Sequence, residues 1–130
     1  MKLIEICDVS HAFESDDGPI EVLQNLNLSV ESNSLTAVVG PSGCGKSTIT
    51  RLISGLLKPN TGKILLEGEE VLSPRRNVGM AFQNPVLLEW RTILKNILLP
   101  LEIVASKMPL KERIDRAEHL LSLVGLADFA

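Results

Sequence analysis

An α/β fold is what the sequence predicts, and three observations carry that prediction. The run Leu35-Thr36-Ala37-Val38-Val39 is short and apolar and reads as a buried strand. It leads into Gly40-Pro41-Ser42-Gly43-Cys44-Gly45-Lys46-Ser47-Thr48, a complete G-x-x-x-x-G-K-[ST] phosphate loop. Beyond the loop, Lys46 to about Leu57 carries Ile49, Leu52, Ile53 and Leu56 at helical spacing. Strand, loop and helix in that order are the context in which this motif builds a phosphate site.

The chemistry follows from the backbone. Glycines let the loop curl so that successive N–H groups point inward as an anion-binding nest. The helix adds its free N-terminal N–H groups and the positive end of its dipole. Lys46 supplies a point charge between β- and γ-phosphates, and the Ser47 hydroxyl is a ligand for Mg²⁺. Thr48 is placed to hydrogen-bond the α-phosphate.

Length and composition set the frame. At 130 residues the chain makes one domain at most, and 45% hydrophobic with 22% charged residues is a globular composition. A net charge of −3 leaves no basic footprint for nucleic acid. No apolar run reaches the about 20 residues that span a bilayer; the nearest, Ile97 to Leu101, is cut by Pro100. Glu5 interrupts the N-terminus before a signal-peptide core can form. Cys7 and Cys44 offer neither metal spacing nor a disulfide framework, which fits a reducing cytosol.

Taken in order, Leu3 to Cys7 is expected to be a first strand, followed by Phe13. Asp16-Asp17-Gly18-Pro19 is a turn. Ile20, Val22, Leu26, Leu28 and Val30 alternate with polar residues as a half-exposed antiparallel strand pair would. Ser32-Asn33-Ser34 is a second turn, so the first third of the chain is β-rich. Lys58 to Gly62 ends the loop's helix with strong breakers, and Lys63 to Gly68 is a strand and turn. Arg75-Arg76, a solvated charge pair or a phosphate contact, precede a strand over Asn77 to Phe82 that delivers Gln83 at its end. After the Asn84-Pro85 break, helices are expected over Trp90 to Leu99 and Leu110 to Val124. The last places Leu110, Ile114, Ala117, Leu121 and Val124 on one face, with Gly125 at its C′ position and His119 on its surface.

In this order the chain resembles the N-terminal half of an ABC-transporter ATPase subunit, a phosphate-loop NTPase fold, over all its residues. The resemblance implies three parts: a β-subdomain over about 1–34, a phosphate-loop core over about 35–83, and the start of a helical subdomain over about 84–130. Phe13, in Val9-Ser10-His11-Ala12-Phe13, matches the aromatic that stacks on adenine, with a core phenylalanine as the alternative. The loop's wording is common in the family's importers. Leu56 to Ile64 resembles the link into its next strand. Val78-Gly79-Met80-Ala81-Phe82-Gln83 resembles the Q-loop, which implies that Gln83 reaches Mg²⁺ and the attacking water. Leu87-Leu88-Glu89-Trp90-Arg91-Thr92, then Asn96, resembles the version in nitrate, sulfonate and taurine importers. Trp90 is there either a contact for a permease coupling helix or a half-buried capping aromatic. Asn33-Ser34 departs from the family's Gly-Glu, but Asn tolerates the left-handed turn conformation.

The resemblance implies ATP and Mg²⁺ as ligands, and a transmembrane permease, a second ATPase copy and, indirectly, a solute-binding protein as partners. It places the chain in the cytoplasm, peripheral on the inner membrane face. The family's signature, its apolar strand ending in Asp-Glu and its switch His are not found. Val124 to Asp128 matches instead the Leu-x-x-Val-Gly-Leu-x-Asp segment that precedes the signature, and Phe129 stands where a Walker B glutamate would. The expectation is that these residues alone bind ATP but do not hydrolyse it, and that Leu35 to Val39 is left as an apolar edge. The competing reading is a non-catalytic module or remnant that holds nucleotide or docks on a permease.

Overall fold

The structure is a computed structural model, and it describes residues 1–84, 86–104 and 107–129. The chain divides into two compact units, Met1–Met80 and Ala81–Ala130.

The first unit is built on a four-stranded antiparallel sheet of order β2-β1-β3-β4, with β1 Lys2–Phe13, β2 Ile20–Glu31, β3 Thr61–Leu66 and β4 Glu69–Glu70. The first strand is thus much longer than Leu3 to Cys7 and ends on Phe13. The alternating run from Ile20 is one strand, not two, because β1 is its antiparallel partner from Lys2↔Glu31 to Phe13↔Ile20. The turn between them closes with the Gly18 N–H donating to the Ser15 carbonyl at 2.9 Å.

The β1–β2 ladder slips at bulges where Asp8 (φ 49°) and Asn25 (φ 46°) enter the left-handed region. Their neighbours take over the interrupted bonds. The Asp8 N–H donates to Asn27 Oδ1 at 3.0 Å, and the Asn25 N–H to Ser10 Oγ at 2.9 Å. Such bulges re-aim side chains: past Asp8, Val9 and His11 are both buried.

Asn33 takes φ 57°, the left-handed turn that its amide side chain allows. Ser34 Oγ donates to the Glu31 carbonyl at 2.6 Å. The β3–β4 hairpin turns on Glu67 (φ 56°) and Gly68 (φ 81°), the double positive φ of a tight primed turn.

Helix α1 is Lys46–Ile53, four residues shorter than its apolar spacing suggests. Gly55 ends it at φ 76°: the Gly55 N–H bonds the Leu52 carbonyl at 3.1 Å and the Leu56 N–H the Arg51 carbonyl at 2.9 Å. That pair is a Schellman cap. The amphipathic face of α1 lies on the sheet, where Ile49 and Leu52 join Ile6, Val9, Leu23, Ile64, Leu66 and Val71 in one core. Burying each of these side chains contributes about 1.5–3 kcal/mol.

Two expected strands are not formed. Leu35 to Val39 is unpaired chain, with Leu35 100% and Val39 88% exposed. Asn77 to Phe82 is likewise irregular. Both are apolar enough for central strands, but among the described residues no strand lies beside either one to share its backbone hydrogen bonds. The expected apolar edge is therefore an open, unpaired segment.

In the second unit, α2 is Ile93–Val104 and α3 is Leu110–Leu123. The expected start at Trp90 gives way to a turn, and Trp90 is 80% exposed, not half-buried. Thr92 Oγ1 accepts the Lys95 N–H at 3.3 Å and caps α2. Asn96 ties the preceding loop to the helix, with Oδ1 accepting the Leu88 N–H at 2.7 Å and Nδ2 donating to the carbonyls of Leu88 and Arg91, each at 3.1 Å. Pro100 does not cut the helix, although its ring leaves the Asn96 carbonyl without the usual donor.

On α3, Ala117 and Leu121 are buried, while the ends of the expected face, Leu110 and Val124, are exposed at 60% and 67%. His119 is on the surface. Gly125, at φ 72°, closes a second Schellman cap: its N–H bonds the Ser122 carbonyl at 3.1 Å, and the Leu126 N–H the Leu121 carbonyl at 2.8 Å. Of the Asn84-Pro85 break, Pro85 lies outside the described residues.

Candidate functional site

The loop Gly40 to Thr48 hangs on the sheet through Gly45. A Cβ there would lie 3.0 Å from Val22 Cγ1 and from Leu23 Cδ2, and 3.2 Å from the Val22 carbonyl oxygen. Gly45 also holds φ 96° as the residue that opens α1, with no side-chain cap. Gly43 is left-handed too, at φ 81°. These two glycines give the loop its curl, and an L side chain at either position would be strained.

The curl leaves donors unspent. The first capping bond of α1 is the Ile49 N–H to the Gly45 carbonyl, at 3.0 Å. Among the described residues, the N–H groups of Gly43 to Thr48 meet no protein acceptor. A helix start without a cap, preceded by left-handed glycines, is a concave set of backbone donors that suits phosphate oxygens.

Lys46 completes the cradle. Its ammonium donates to the Gly40 carbonyl at 2.8 Å and the Pro41 carbonyl at 2.6 Å, with Cys44 Sγ at 3.7 Å. The charge is thus held across the mouth of its own loop, on neutral acceptors that an anionic phosphate oxygen would outbid. Ser42 and Ser47 are exposed and Thr48 is buried.

Phe13 lies at the same end of the sheet as Gly45. Its cross-strand partner is Ile20, two residues from Val22, whose side chain approaches Gly45. The phenylalanine is 38% exposed and is not among the residues of the core cluster. Gln83 is exposed and belongs to the second unit. Arg75 is neither free nor simply solvated: its Nη2 pairs with Glu69 Oε2 at 2.9 Å.

Two residues near the site escaped the sequence reading. Asn60, which reads only as a helix breaker, clamps β1: its Oδ1 accepts the Ala12 N–H at 2.7 Å, and its own N–H donates to the Ser10 carbonyl at 3.0 Å. His11, between those two residues, is buried with its ring against Phe13. No sequence signal marks either one, because both act through a register that bulges shift.

The family model described as ABC transporter matches residues 23–130. The chain belongs to the ABC transporter family. An uncharacterised ABC transporter ATP-binding protein of Methanocaldococcus jannaschii is 40% identical over 126 residues, 97% of this chain and 46% of the relative. The methionine import ATP-binding protein MetN 2 of Enterococcus faecalis is 41% identical, over 97% of this chain and 38% of its own length. The nitrate import ATP-binding protein NrtD of a Synechocystis strain is 37% identical, over 98% of this chain and 47% of its own. The chain thus spans about half the length, or less, of these curated relatives.

Among solved structures, a dimeric ATP-binding cassette, MJ0796, in a post-hydrolysis state with ADP and Pi, superposes with a TM-score of 0.83 at 28% identity. The match covers 92% of this chain and 56% of that one. The fold is therefore the phosphate-loop NTPase fold of an ABC ATPase, represented by its N-terminal portion. No helix among the described residues is long and apolar enough to cross a membrane.

Proposed function

We propose that this ABC chain forms the nucleotide-binding half of an importer's ATPase subunit. The carrying observation is the loop itself, with free N–H groups from Gly43 to Thr48 at a helix start and the Lys46 ammonium held across them. In this reading the backbone of Gly40, Pro41, Ser42, Gly43, Cys44 and Gly45 wraps the phosphates, and Lys46 moves from carbonyls to phosphate oxygens. Ser47 would hold Mg²⁺, whose charge would offset that of the phosphates when bound; the Q-loop role of Gln83 stays with the family resemblance. Thr48 bonds the α-phosphate, and Phe13 stacks on adenine. The three-part division near residues 34 and 83 belongs to the same reading.

The partners in this reading are a permease, a second ATPase copy and, indirectly, a solute-binding protein, on the cytoplasmic face of a membrane. The dimeric cassette among the solved structures supports the pairing. A nitrate, sulfonate or taurine solute is supported by Leu87 to Thr92 and by the nitrate import relative. The methionine import relatives support methionine to the same degree.

The chemistry assigned to these 130 residues is binding, because hydrolysis needs a base that polarises water and a signature offered by the facing copy. Phosphate release from Mg-ATP by the purified chain is expected to match that of a Lys46→Ala sample prepared alongside. Turnover that Lys46→Ala abolishes would overturn the assignment.

A further inference from the structure

Beside the proposed base-stacking residue lies a buried imidazole. His11 is 8% exposed, and neither Nδ1 nor Nε2 has a partner among the described residues. Buried polar atoms are rarely left this way. The ring presents a flat surface beside Phe13.

That surface faces Phe13. The two rings are perpendicular, at 87°, with centroids 4.8 Å apart, the edge-to-face arrangement that aromatic rings favour. Residues i and i+2 of a strand share one face, so the pairing follows from β1 itself. Both sides of His11 are fixed, because Asn60 bonds the Ser10 carbonyl and the Ala12 N–H. Across the ladder, His11 is paired with Leu23, the residue that meets Gly45 of the phosphate loop. The buried ring thus contacts Phe13 and is cross-strand partner to a residue that approaches the loop's anchor.

We infer that His11 is a positioning residue for nucleobase binding, setting the plane of Phe13 so that its free face is presented to the base. This rests on the nucleotide-binding reading above and adds to it a residue that touches neither phosphate nor metal. Phe13 alone, at the end of a strand and 38% exposed, has rotamers to lose on stacking. A perpendicular wall behind it removes them before the nucleotide arrives.

The test compares Mg-ATP with tripolyphosphate, which offers the loop the same phosphates without a base. Removing the ring with His11→Ala is expected to weaken Mg-ATP about tenfold while tripolyphosphate changes less than about twofold, a base–aromatic stacking contribution lost by itself. His11→Phe, flat but without nitrogens, is expected to restore Mg-ATP binding to within about threefold of the original. If His11→Ala fails to fold, judged by circular dichroism, His11→Leu fills the volume without planarity and is read by the same criteria. Parallel loss of both ligands, or no loss of Mg-ATP, would overturn the inference. A wild-type chain that binds neither ligand overturns the nucleotide-binding reading and this inference with it. A wild-type chain that binds both, with no change on replacing His11, overturns this inference alone.

Discussion

Lys46→Ala is expected to weaken Mg-ATP binding by about 10- to 100-fold, the loss of charge-assisted hydrogen bonds that each contribute about 1.5–3 kcal/mol. The effect is large because the ammonium already sits on the loop, 2.8 Å from the Gly40 carbonyl and 2.6 Å from that of Pro41. Little reorganisation is needed to pass it to phosphate. Stability is expected to change little. Lys46 is only half-buried, and the two carbonyls it releases belong to an exposed stretch of loop that water reaches. Titration calorimetry of both proteins, with circular dichroism as the fold control, checks the prediction. Equal affinities would mean that Lys46 does not hold the phosphates.

The second large effect is on stability. Gly62 lies opposite the Asp8 bulge, at φ 78°, where a Cβ would fall 2.4 Å from the Asp8 carbonyl oxygen and 2.5 Å from that of Cys7. Those atoms are backbone of β1, so no side chain can swing aside. Gly62→Ala is expected to cost about 2–4 kcal/mol, combining left-handed strain with a forced separation of β1 and β3. Gly68→Ala is the matched control, with φ 81° but nothing within 4 Å of the added Cβ. It is expected to cost only the strain, about 1 kcal/mol. Urea unfolding of the two variants reads the difference. Equal costs would show that β1 and β3 are not pressed together at Gly62.

What could be read from sequence was what local chemistry decides. The phosphate loop, the left-handed Asn33 and the Gly125 cap all depend on residues within a few positions of themselves. Asn33 is left-handed and Gly125 closes α3, as their local sequence indicates. Gly55 carries the same signal as Gly125, but Leu56 and Leu57 extend the apolar spacing beyond the real end of α1. What could not be read depends on distant partners. Leu35 to Val39 has a buried strand's composition, but composition reports the environment a segment suits and not which strands lie beside it. The chain spans about half the length of its curated relatives. Register was equally hidden: the bulges at Asp8 and Asn25 carry His11 to the buried face, and β-branched alternation gave no hint of them.

The backbone N–H groups of Gly43 to Thr48 are proposed here as an anion-binding cradle. A ¹H–¹⁵N correlation titration of the whole chain with Mg-ATP reads those groups one by one. The amides of Gly43 to Thr48 are expected to shift first and furthest, saturating with a single affinity, and Lys46→Ala is expected to suppress the shifts. Loop amides that stay still while others move, or no saturable change at all, would contradict it.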